Sequence, residues 1–275
     1  MDDLGDILRE TRQQQQLSQL ETAEDICSQS TLSEIEHNKY VPNTQLLINL
    51  CQRLSVDFND IALIENFKIC KDDYFNRKVN YFYNNRKYEA LRTFLNRPTV
   101  LELVQTGKQT QAYYLYLALC ALHLDNNFDD AKELLKLSLA SAGHSRKQTT
   151  LTRMGNIALA YVYAKQGLKI SSIRQINLAF KNIENIKYDE NFNLIFYLTA
   201  LSYFRLSKYD LAIEWIERGI NFIRKNDSHF MLINSLFLMA NIAETVKGNS
   251  EQVQSFKKYD LFNDFIHEKD YAKID

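Results

Sequence analysis

Glycine and proline are scarce in this chain of 275 residues, which contains only 7 Gly and 2 Pro. The tight turns of β-hairpins and β-sandwiches depend on these residue types, so their scarcity argues against a β-rich fold. Leu, Ala, Lys, Glu and Gln instead recur at helical spacing. The chain is 45% apolar and 24% charged, as in globular proteins. We therefore predict an all-α protein with a small domain and a larger one.

Cysteine is also sparse, and Cys27, Cys51, Cys70 and Cys120 form no CxxC pair that would suit zinc or redox chemistry. Each falls at an apolar helical position, so we predict buried free thiols. The five histidines are scattered, and the sequence has no HExxH, P-loop or dinucleotide fingerprint. These absences indicate that the chain is not an enzyme and needs no cofactor or metal.

Long apolar runs are missing as well. The longest nearly apolar run, residues 115–124, is much shorter than the ~20 residues that span a bilayer. The N-terminus is acidic and has no apolar segment of the kind found in signal peptides. The sequence thus predicts a cytoplasmic protein with no membrane partner.

Residues 17–36, LSQLETAEDICSQSTLSEIE, are typical of two short helices joined by a tight turn. Ser18 can cap the first helix, and Ser28 or Ser30 can cap the second. The inward faces would carry Ala23, Ile26, Leu32 and Ile35. The outward face of the second helix would carry Gln29, Ser30, Thr31, Ser33 and Glu34. Short polar side chains at the start of such a helix can reach base edges and phosphates in a major groove.

A wider pattern surrounds this hairpin: Leu4-Gly5, Ile7, Arg9, Arg12, Leu17-Ser18-Gln19, Ile26, Ser33-x-Ile35-Glu36, Pro42, Leu46 and Leu50. It resembles the lambda-repressor-like (XRE) helix-turn-helix domain over residues 1–66. The resemblance implies DNA contacts by Gln19, Gln29 and Ser30, with Thr31, Ser33 and Glu34 on the same surface. It also places Arg12 and Glu36 where the family has a structural ion pair, although Arg12 could contact a phosphate instead.

Two positions depart from the family pattern. Glu34 stands where the family commonly has Arg or Lys, and Thr22 stands where it usually has an apolar core residue. The first departure removes a favourable charge near phosphate, and the second weakens the core slightly. Around the hairpin, we predict helices at residues 3–15 and 45–54, the latter capped by Asn43 or Thr44. A short fifth helix near residues 59–64 would complete the domain.

The rest of the chain comprises residues 67–275, and from about Asp73 onward it repeats with a period of 40 residues. Cys120, Ala160, Ala200 and Ala240 share that step. Turn segments follow at nearly the same interval, at 126–128, 166–168, 207–209 and 247–249. Small residues let paired helices approach closely, so the pattern predicts about five helical hairpins in a right-handed superhelical stack. The segment ALSYFRLSKYDLAIEWIERGI is close to the tetratricopeptide (TPR) pattern. The two modules together resemble the RNPP family of peptide-pheromone regulators.

A stack of such hairpins forms a concave surface from the first helix of each pair, and that surface suits an extended peptide. The candidate peptide contacts are Tyr113, Tyr116, Tyr161, Lys165, Tyr197, Arg205, Asn234, Phe237 and Asn241. Asn side chains can pair with a peptide backbone, aromatic rings can cover its apolar residues, and Lys165 or Arg205 could hold a carboxylate. Ordinary packing between helices explains each of these residues equally well.

Charge is unevenly distributed, with a net charge of −8 in residues 1–66 and +7 in residues 67–275. Acidic domains are repelled by duplex DNA, because binding depends on cations that displace condensed counterions. Two hypotheses follow. The first is a quorum-sensing type of transcriptional regulator, a homodimer that binds operator DNA through residues 1–66. Residues 67–275 would be its TPR-like domain for dimerisation and for binding a short signalling peptide. The alternative is a TPR-type adaptor whose acidic helix-turn-helix domain no longer binds DNA.

Overall fold

The computed structural model of this protein describes residues 4–40, 42, 44–54, 63, 66–125, 127–143, 148–183, 188–226, 228 and 230–247. The regular structure in these residues is helical, which confirms the predicted all-α fold. The helices are α1 (Leu4–Gln14), α2 (Gln19–Ala23), α3 (Gln29–Glu36), α4 (Thr44–Leu54), α5 (Asp73–Asn84), α6 (Tyr88–Leu95), α7 (Pro98–Leu101), α8 (Gly107–Asp125), α9 (Phe128–Ala140), α10 (Thr150–Lys165), α11 (Lys169–Ala179), α12 (Asn191–Arg205), α13 (Tyr209–Lys225) and α14 (Leu232–Lys247). Within the described part of the chain, no helix is both long and apolar enough to cross a bilayer.

The chain divides into two compact units. One comprises Met1–Val56 with Ile216–Asp275, and the other is Asp57–Trp215. The division of the sequence by motif at residues 1–66 and 67–275 stays a prediction.

In the first unit, α1 to α4 enclose a small apolar core. Leu8, Leu32, Ile35, Leu47 and Leu50 are each at most 1% exposed. The predicted helices at 3–15 and 45–54 correspond to α1 and α4 within one residue at each end. Helix α14 packs against α4 and α1 in this unit. The predicted fifth helix lies outside the described residues apart from the buried Leu63, as does the predicted cap Asn43.

Gly5 allows α1 to approach the end of α3 very closely. A Cβ atom at this position would overlap the carbonyl oxygen of Ile35. The backbone amide of Gly5 also donates a hydrogen bond to the Asn38 side-chain oxygen at 3.0 Å. The absence of a side chain therefore sets the α1–α3 spacing, a constraint that helical periodicity does not reveal.

The second unit is a series of helical hairpins. Helix α5 packs on α6, α8 on α9, and α10 on α11, while α6 also contacts α8, α9 contacts α10, and α10 contacts α12. Trp215 of α13 packs beside α12 at the end of this series. The centre of its ring lies 4.3 Å from that of Phe180 and 6.0 Å from that of Phe196. Contacts between successive hairpins are the pattern of a helical repeat stack. The second helix of a fifth hairpin, after α14, would lie outside the described residues.

The hairpin turns share one backbone geometry. The residue that follows the C-cap has a positive φ in three of them: Arg86 at 55°, Gly167 at 72° and Ser207 at 55°. The next amide then donates to a carbonyl five residues earlier, at 2.8, 2.8 and 2.9 Å. This is the Schellman arrangement that satisfies the last carbonyls of a helix. The turns predicted at 166–168 and 207–209 coincide with two of these, whereas those at 126–128 and 247–249 include residues outside the described part.

The small residues of the 40-residue period are buried, as the close-packing argument predicts. Cys120, Ala160 and Ala200 are fully buried, and Ala240 is 5% exposed. Opposite Ala160, the hydroxyl of buried Ser172 on α11 donates to the Ala160 carbonyl at 2.9 Å. The two helices of this hairpin are thus joined by a side-chain hydrogen bond.

Candidate functional site

The hairpin α2–α3 is fixed at both helix starts by its own serines. Ser18 caps α2 and forms a capping box with Glu21, whose carboxylate accepts from the Ser18 amide at 2.7 Å. The Ser18 hydroxyl also donates to this carboxylate, at 2.6 Å, and the bonds from the hydroxyl and the amide lower the pKa of Glu21. Ser28 caps α3, and its hydroxyl accepts from the Thr31 amide at 3.0 Å. The predicted first cap is confirmed, and Ser28 rather than Ser30 is the second.

A chain of hydrogen bonds connects the start of α3 to the core. The Arg12 guanidinium donates to both oxygens of the fully buried Glu36, at 2.6 and 2.9 Å. Gln19 donates its amide to the same carboxylate at 2.8 Å, and Gln29 donates to the Gln19 side-chain oxygen at 3.4 Å. The bond to Glu36 raises the pKa of Arg12. The predicted Arg12–Glu36 ion pair is therefore confirmed.

The six predicted DNA contacts share one surface of the hairpin. Gln29, Ser30 and Glu34 are exposed, whereas Gln19, Thr31 and Ser33 are half-buried. The Ser28 hydroxyl lies 2.8 Å from the Ser30 hydroxyl and 2.7 Å from the Thr31 hydroxyl, so the polar groups at the start of α3 are held together. This surface can offer amide and hydroxyl groups to a base edge. The contacts themselves stay predictions.

The arginines of this part of the chain are engaged with internal groups. Arg9 pairs with Asp6 at 2.6 Å, and Arg12 is held by Glu36. Arg53 on α4 donates to the backbone carbonyls of Glu21 and Glu24, at 2.5 and 2.9 Å. A cation at the C-terminal end of α2 also complements the helix dipole. Exposed acidic side chains meanwhile lie near the hairpin, at positions 21, 24, 25 and 34.

Comparison with known proteins identifies this domain. Residues 8–61 match the sequence profile of the helix-turn-helix family HTH_3. The N-terminal domain is a helix-turn-helix domain of the lambda-repressor-like type. In it, α2 and α3 are the two helices of the motif, and α3 is the recognition helix. The profile covers the N-terminal part of the chain only, and a comparison with curated protein sequences found no match.

The similarity to solved structures extends beyond the helix-turn-helix domain. Bacillus thuringiensis PlcR, in complex with the peptide PapR7 and DNA, is similar over 99% of both chains, with a TM-score of 0.54 and 19% identity. Apo ComR from Streptococcus vestibularis matches 95% of this chain and 90% of its own (TM-score 0.43, 15% identity). The Streptococcus dysgalactiae pheromone receptor Rgg2 matches 86% and 98% (TM-score 0.37, 14% identity). The PlcR match shows a shared fold, a helix-turn-helix domain followed by helical repeats.

In the second unit, most of the predicted peptide contacts are interior residues. Tyr113, Tyr116, Tyr161 and Tyr197 are each at most 5% exposed. Tyr116 accepts a hydrogen bond from the Phe67 amide at 2.9 Å, and burial raises its pKa. Lys165 is half-buried, with its ammonium 5.9 Å from the Tyr161 ring, and Arg205 is exposed. The structure thus brings Tyr161 and Lys165 together and leaves the two cations as the accessible members of the set.

The remaining three candidates lie on α14 in the first unit. Asn234 and Phe237 are buried, at 4% and 7% exposure. Asn241 is half-buried, and its amide donates to the Phe237 carbonyl at 2.9 Å. These side chains take part in the packing of the helix within this chain. Their contact with a peptide stays a prediction.

Arg153 is a buried cation that the sequence reasoning missed. It is 2% exposed and donates to the Ala179 and Lys181 carbonyls at the C-terminal end of α11, the latter at 3.0 Å. Burial lowers its pKa. A signal was present in the sequence, since α10 is apolar on all faces, and such a helix is buried all round. A charged residue in it needs polar partners inside the fold, and helix-end carbonyls provide them.

Proposed function

We propose that this chain is a transcriptional regulator that binds operator DNA as a homodimer through residues 1–66 and responds to a short signalling peptide bound by residues 67–275. One observation carries the proposal: residues 8–61 match the helix-turn-helix family, and α3 of that domain exposes Gln29 and Ser30 at its N-terminal end. In helix-turn-helix proteins, this end of the recognition helix contacts base edges. Such a regulator works in the cytoplasm and performs no enzymatic reaction.

The peptide response is supported by the fold. PlcR, which shares it, was solved in complex with a peptide and DNA. In the present chain, Lys165 and Arg205 end α10 and α12, the first helices of successive hairpins. Lys165 is half-buried and Arg205 is exposed. A cation at each of these helix ends suits a peptide carboxylate. We infer that these two side chains bind acidic or C-terminal groups of the peptide.

DNA binding is tested by selecting duplexes from a random library with the full-length protein at low salt. Enrichment of a sequence, and its loss in Gln29→Ala but not in Gln13→Ala, is the expected result. Gln13 is exposed at the end of α1 and serves as the matched control. Two half-sites about one helical turn apart would indicate a dimer. If no duplex of any sequence is bound even at low salt, while a partner protein co-purifies with the chain, the adaptor function is correct instead.

Peptide binding is tested by incubating the protein with a fractionated peptide extract of conditioned medium and identifying retained peptides by mass spectrometry. Arg205→Gln should weaken retention of the identified peptide by about tenfold, the effect of losing ~1.4 kcal/mol of a charge-assisted hydrogen bond. Lys181→Gln, which removes an exposed cation after α11, should not. Equal retention by wild type and Arg205→Gln would show that this cation takes no part.

A further inference from the structure

The first hairpin after the helix-turn-helix domain carries an unusual exposed surface. On α5, Tyr74, Arg77, Lys78 and Tyr81 follow each other at i, i+3, i+4 and i+7, which places them on one helical face. Tyr74 and Tyr81 are 51% and 52% exposed. Arg77 is exposed and Lys78 half-buried. Together with Lys87, which precedes α6, these residues form what we call the tyrosine–cation stripe.

The opposite face of α5 explains why the stripe faces outward. Val79 and Tyr83 are buried, and the Phe75 ring stacks on Phe94 of α6 at 5.8 Å. The apolar rings of the hairpin therefore already have packing partners. The Tyr74 and Tyr81 rings lie beside this core, with their centres 5.5 Å from Phe75 and 5.7 Å from Phe82. Each of the two tyrosines still keeps about half of its surface exposed to solvent.

Cations hold the two exposed rings in place. The Lys78 ammonium lies 4.7 Å from the centre of the Tyr74 ring. The Lys87 ammonium lies 4.7 Å from the centre of the Tyr81 ring and donates to its hydroxyl at 2.8 Å. Each tyrosine thus sits beside a positive charge, and about half of its surface is exposed to solvent. Cations and tyrosine hydroxyls are among the groups that contact phosphate oxygens in protein–DNA complexes.

Two of the three acidic residues in 66–97 are engaged elsewhere, and the third, Glu89, is exposed on α6. Asp73 pairs with Lys68 at 3.2 Å, and Asp72 caps α5 by accepting from the Tyr74 amide at 2.7 Å. Residues 66–97 contain eight Lys or Arg against three Asp or Glu, a net charge of +5. The hairpin is therefore a cationic surface next in sequence to a domain of charge −8. Its charge is complementary to a polyanion.

The helix-turn-helix domain has few cations with which to bind a polyanion. Each of its arginines is engaged with a carboxylate or with backbone carbonyls inside the domain, as described above. Lys39 is the remaining basic residue of residues 1–66, and it is exposed. Most of the affinity of a protein for duplex DNA comes from basic side chains that displace condensed counterions. The stripe, with three cations, is better suited to that role than the helix-turn-helix domain.

We propose that the tyrosine–cation stripe binds the phosphate backbone of duplex DNA. This inference rests on the proposed DNA-binding function. Duplex DNA fits better than a membrane, because the stripe has no aliphatic side chain to insert between lipid tails. The stripe makes no base contacts, so it raises affinity for all sequences and leaves sequence discrimination to α3.

The test uses the full-length protein and two triple variants with the same loss of charge. One is Arg77→Gln/Lys78→Gln/Lys87→Gln, in the stripe. The matched control is Lys108→Gln/Arg174→Gln/Lys181→Gln, which changes three exposed cations elsewhere in the second unit. Fluorescence anisotropy gives the Kd for a selected duplex and a random duplex of equal length, between about 50 and 200 mM salt. Thermal melting confirms that both variants are folded.

The stripe variant should bind both duplexes more weakly than the control, with an unchanged ratio between them. Its log–log salt slope should fall by about 0.9 for each phosphate that the variant no longer neutralises. The same Kd and slope in the stripe and control variants would overturn the inference, even while Gln29→Ala confirms specific DNA binding. Loss of binding to phosphatidylglycerol vesicles with unchanged DNA affinity would also overturn it, in favour of a membrane surface. If no duplex is bound by the wild type, both the proposed function and this inference fall.

Discussion

Replacing Arg12 with Met tests whether the buried carboxylate of Glu36 organises the helix-turn-helix domain. Glu36 is fully buried and accepts two hydrogen bonds from Arg12 and one from Gln19. Arg12→Met keeps most of the side-chain volume but removes the cation. The variant leaves a buried carboxylate with only the Gln19 amide to compensate it, and it also removes a donor to the Leu17 carbonyl.

The size of the effect follows from the burial of the pair. Removing one partner of a buried ion pair costs about 3 to 5 kcal/mol, whereas an exposed pair contributes about 0 to 1 kcal/mol. The Arg12 side chain is 11% exposed and Glu36 is 0% exposed, so the first range applies. At about 0.05 to 0.15 kcal/mol per residue, a domain the size of residues 8–61 has a stability of about 3 to 8 kcal/mol. Arg12→Met should therefore remove most of it.

Native-state hydrogen exchange measures the loss where it occurs. Amides of α3 should lose protection in Arg12→Met, while amides of α10 in the second unit should keep theirs. The double variant Arg12→Met/Glu36→Leu is the matched control, because replacing a buried pair by apolar residues is often neutral. It should recover to within about 2 kcal/mol of wild type. A cost below about 1 kcal/mol for Arg12→Met would refute the reasoning, because that is the contribution of a solvent-exposed ion pair.

Four further variants address DNA reading and backbone geometry. Glu34→Arg should strengthen binding to most duplexes in anisotropy titrations, and less so at high salt, whereas equal affinity at low salt would contradict a phosphate-facing position. Gln29→Ala should lower discrimination between operator and random duplex by ~1 to 3 kcal/mol in competition assays, and intact discrimination would exclude a bidentate base contact. Ser207→Gly should stabilise the second unit by about 0.5 to 1 kcal/mol in urea unfolding, since its φ is 55°, and a lower midpoint would contradict this. Gly5→Ala should destabilise the first unit by about 1 to 3 kcal/mol in hydrogen exchange, because its methyl group would meet the Ile35 carbonyl, and unchanged α3 protection would disprove that contact.

Local patterns in the sequence were sufficient to predict the helix-turn-helix domain. Helix caps and apolar spacing involve residues only a few positions apart in the sequence. The Arg12–Glu36 pair joins two positions that the family pattern aligns. The small residues of the 40-residue period likewise identified the hairpins, because close packing of paired helices constrains residue size directly. Each of these signals depends on geometry that a single helix or one helix pair defines.

The exposed surface of the repeats was harder to predict for the opposite reason. A residue such as Tyr116 is at the same helical position whether it faces a groove or a neighbouring segment, and its burial depends on what packs over it. Here the Phe67 backbone amide donates a hydrogen bond to the Tyr116 hydroxyl. Arg153 could not be placed for a similar reason, since its acceptors lie at the end of α11, 26 to 28 residues further along the chain. Sequence spacing does not encode such contacts.

The hydrogen bonds around Glu36 connect stability to recognition in this domain. Gln19 donates to Glu36 with its amide nitrogen, which directs its oxygen toward Gln29, the exposed residue at the start of α3. The orientation of the Gln29 side chain therefore depends on a carboxylate that Arg12 holds in place. Since Gln29 is the candidate for base contact, a change at Arg12 should reduce sequence discrimination even at temperatures where the domain remains folded. Glu36, one of the twelve acidic residues in residues 1–66, thus positions the candidate base-contacting side chain of this domain.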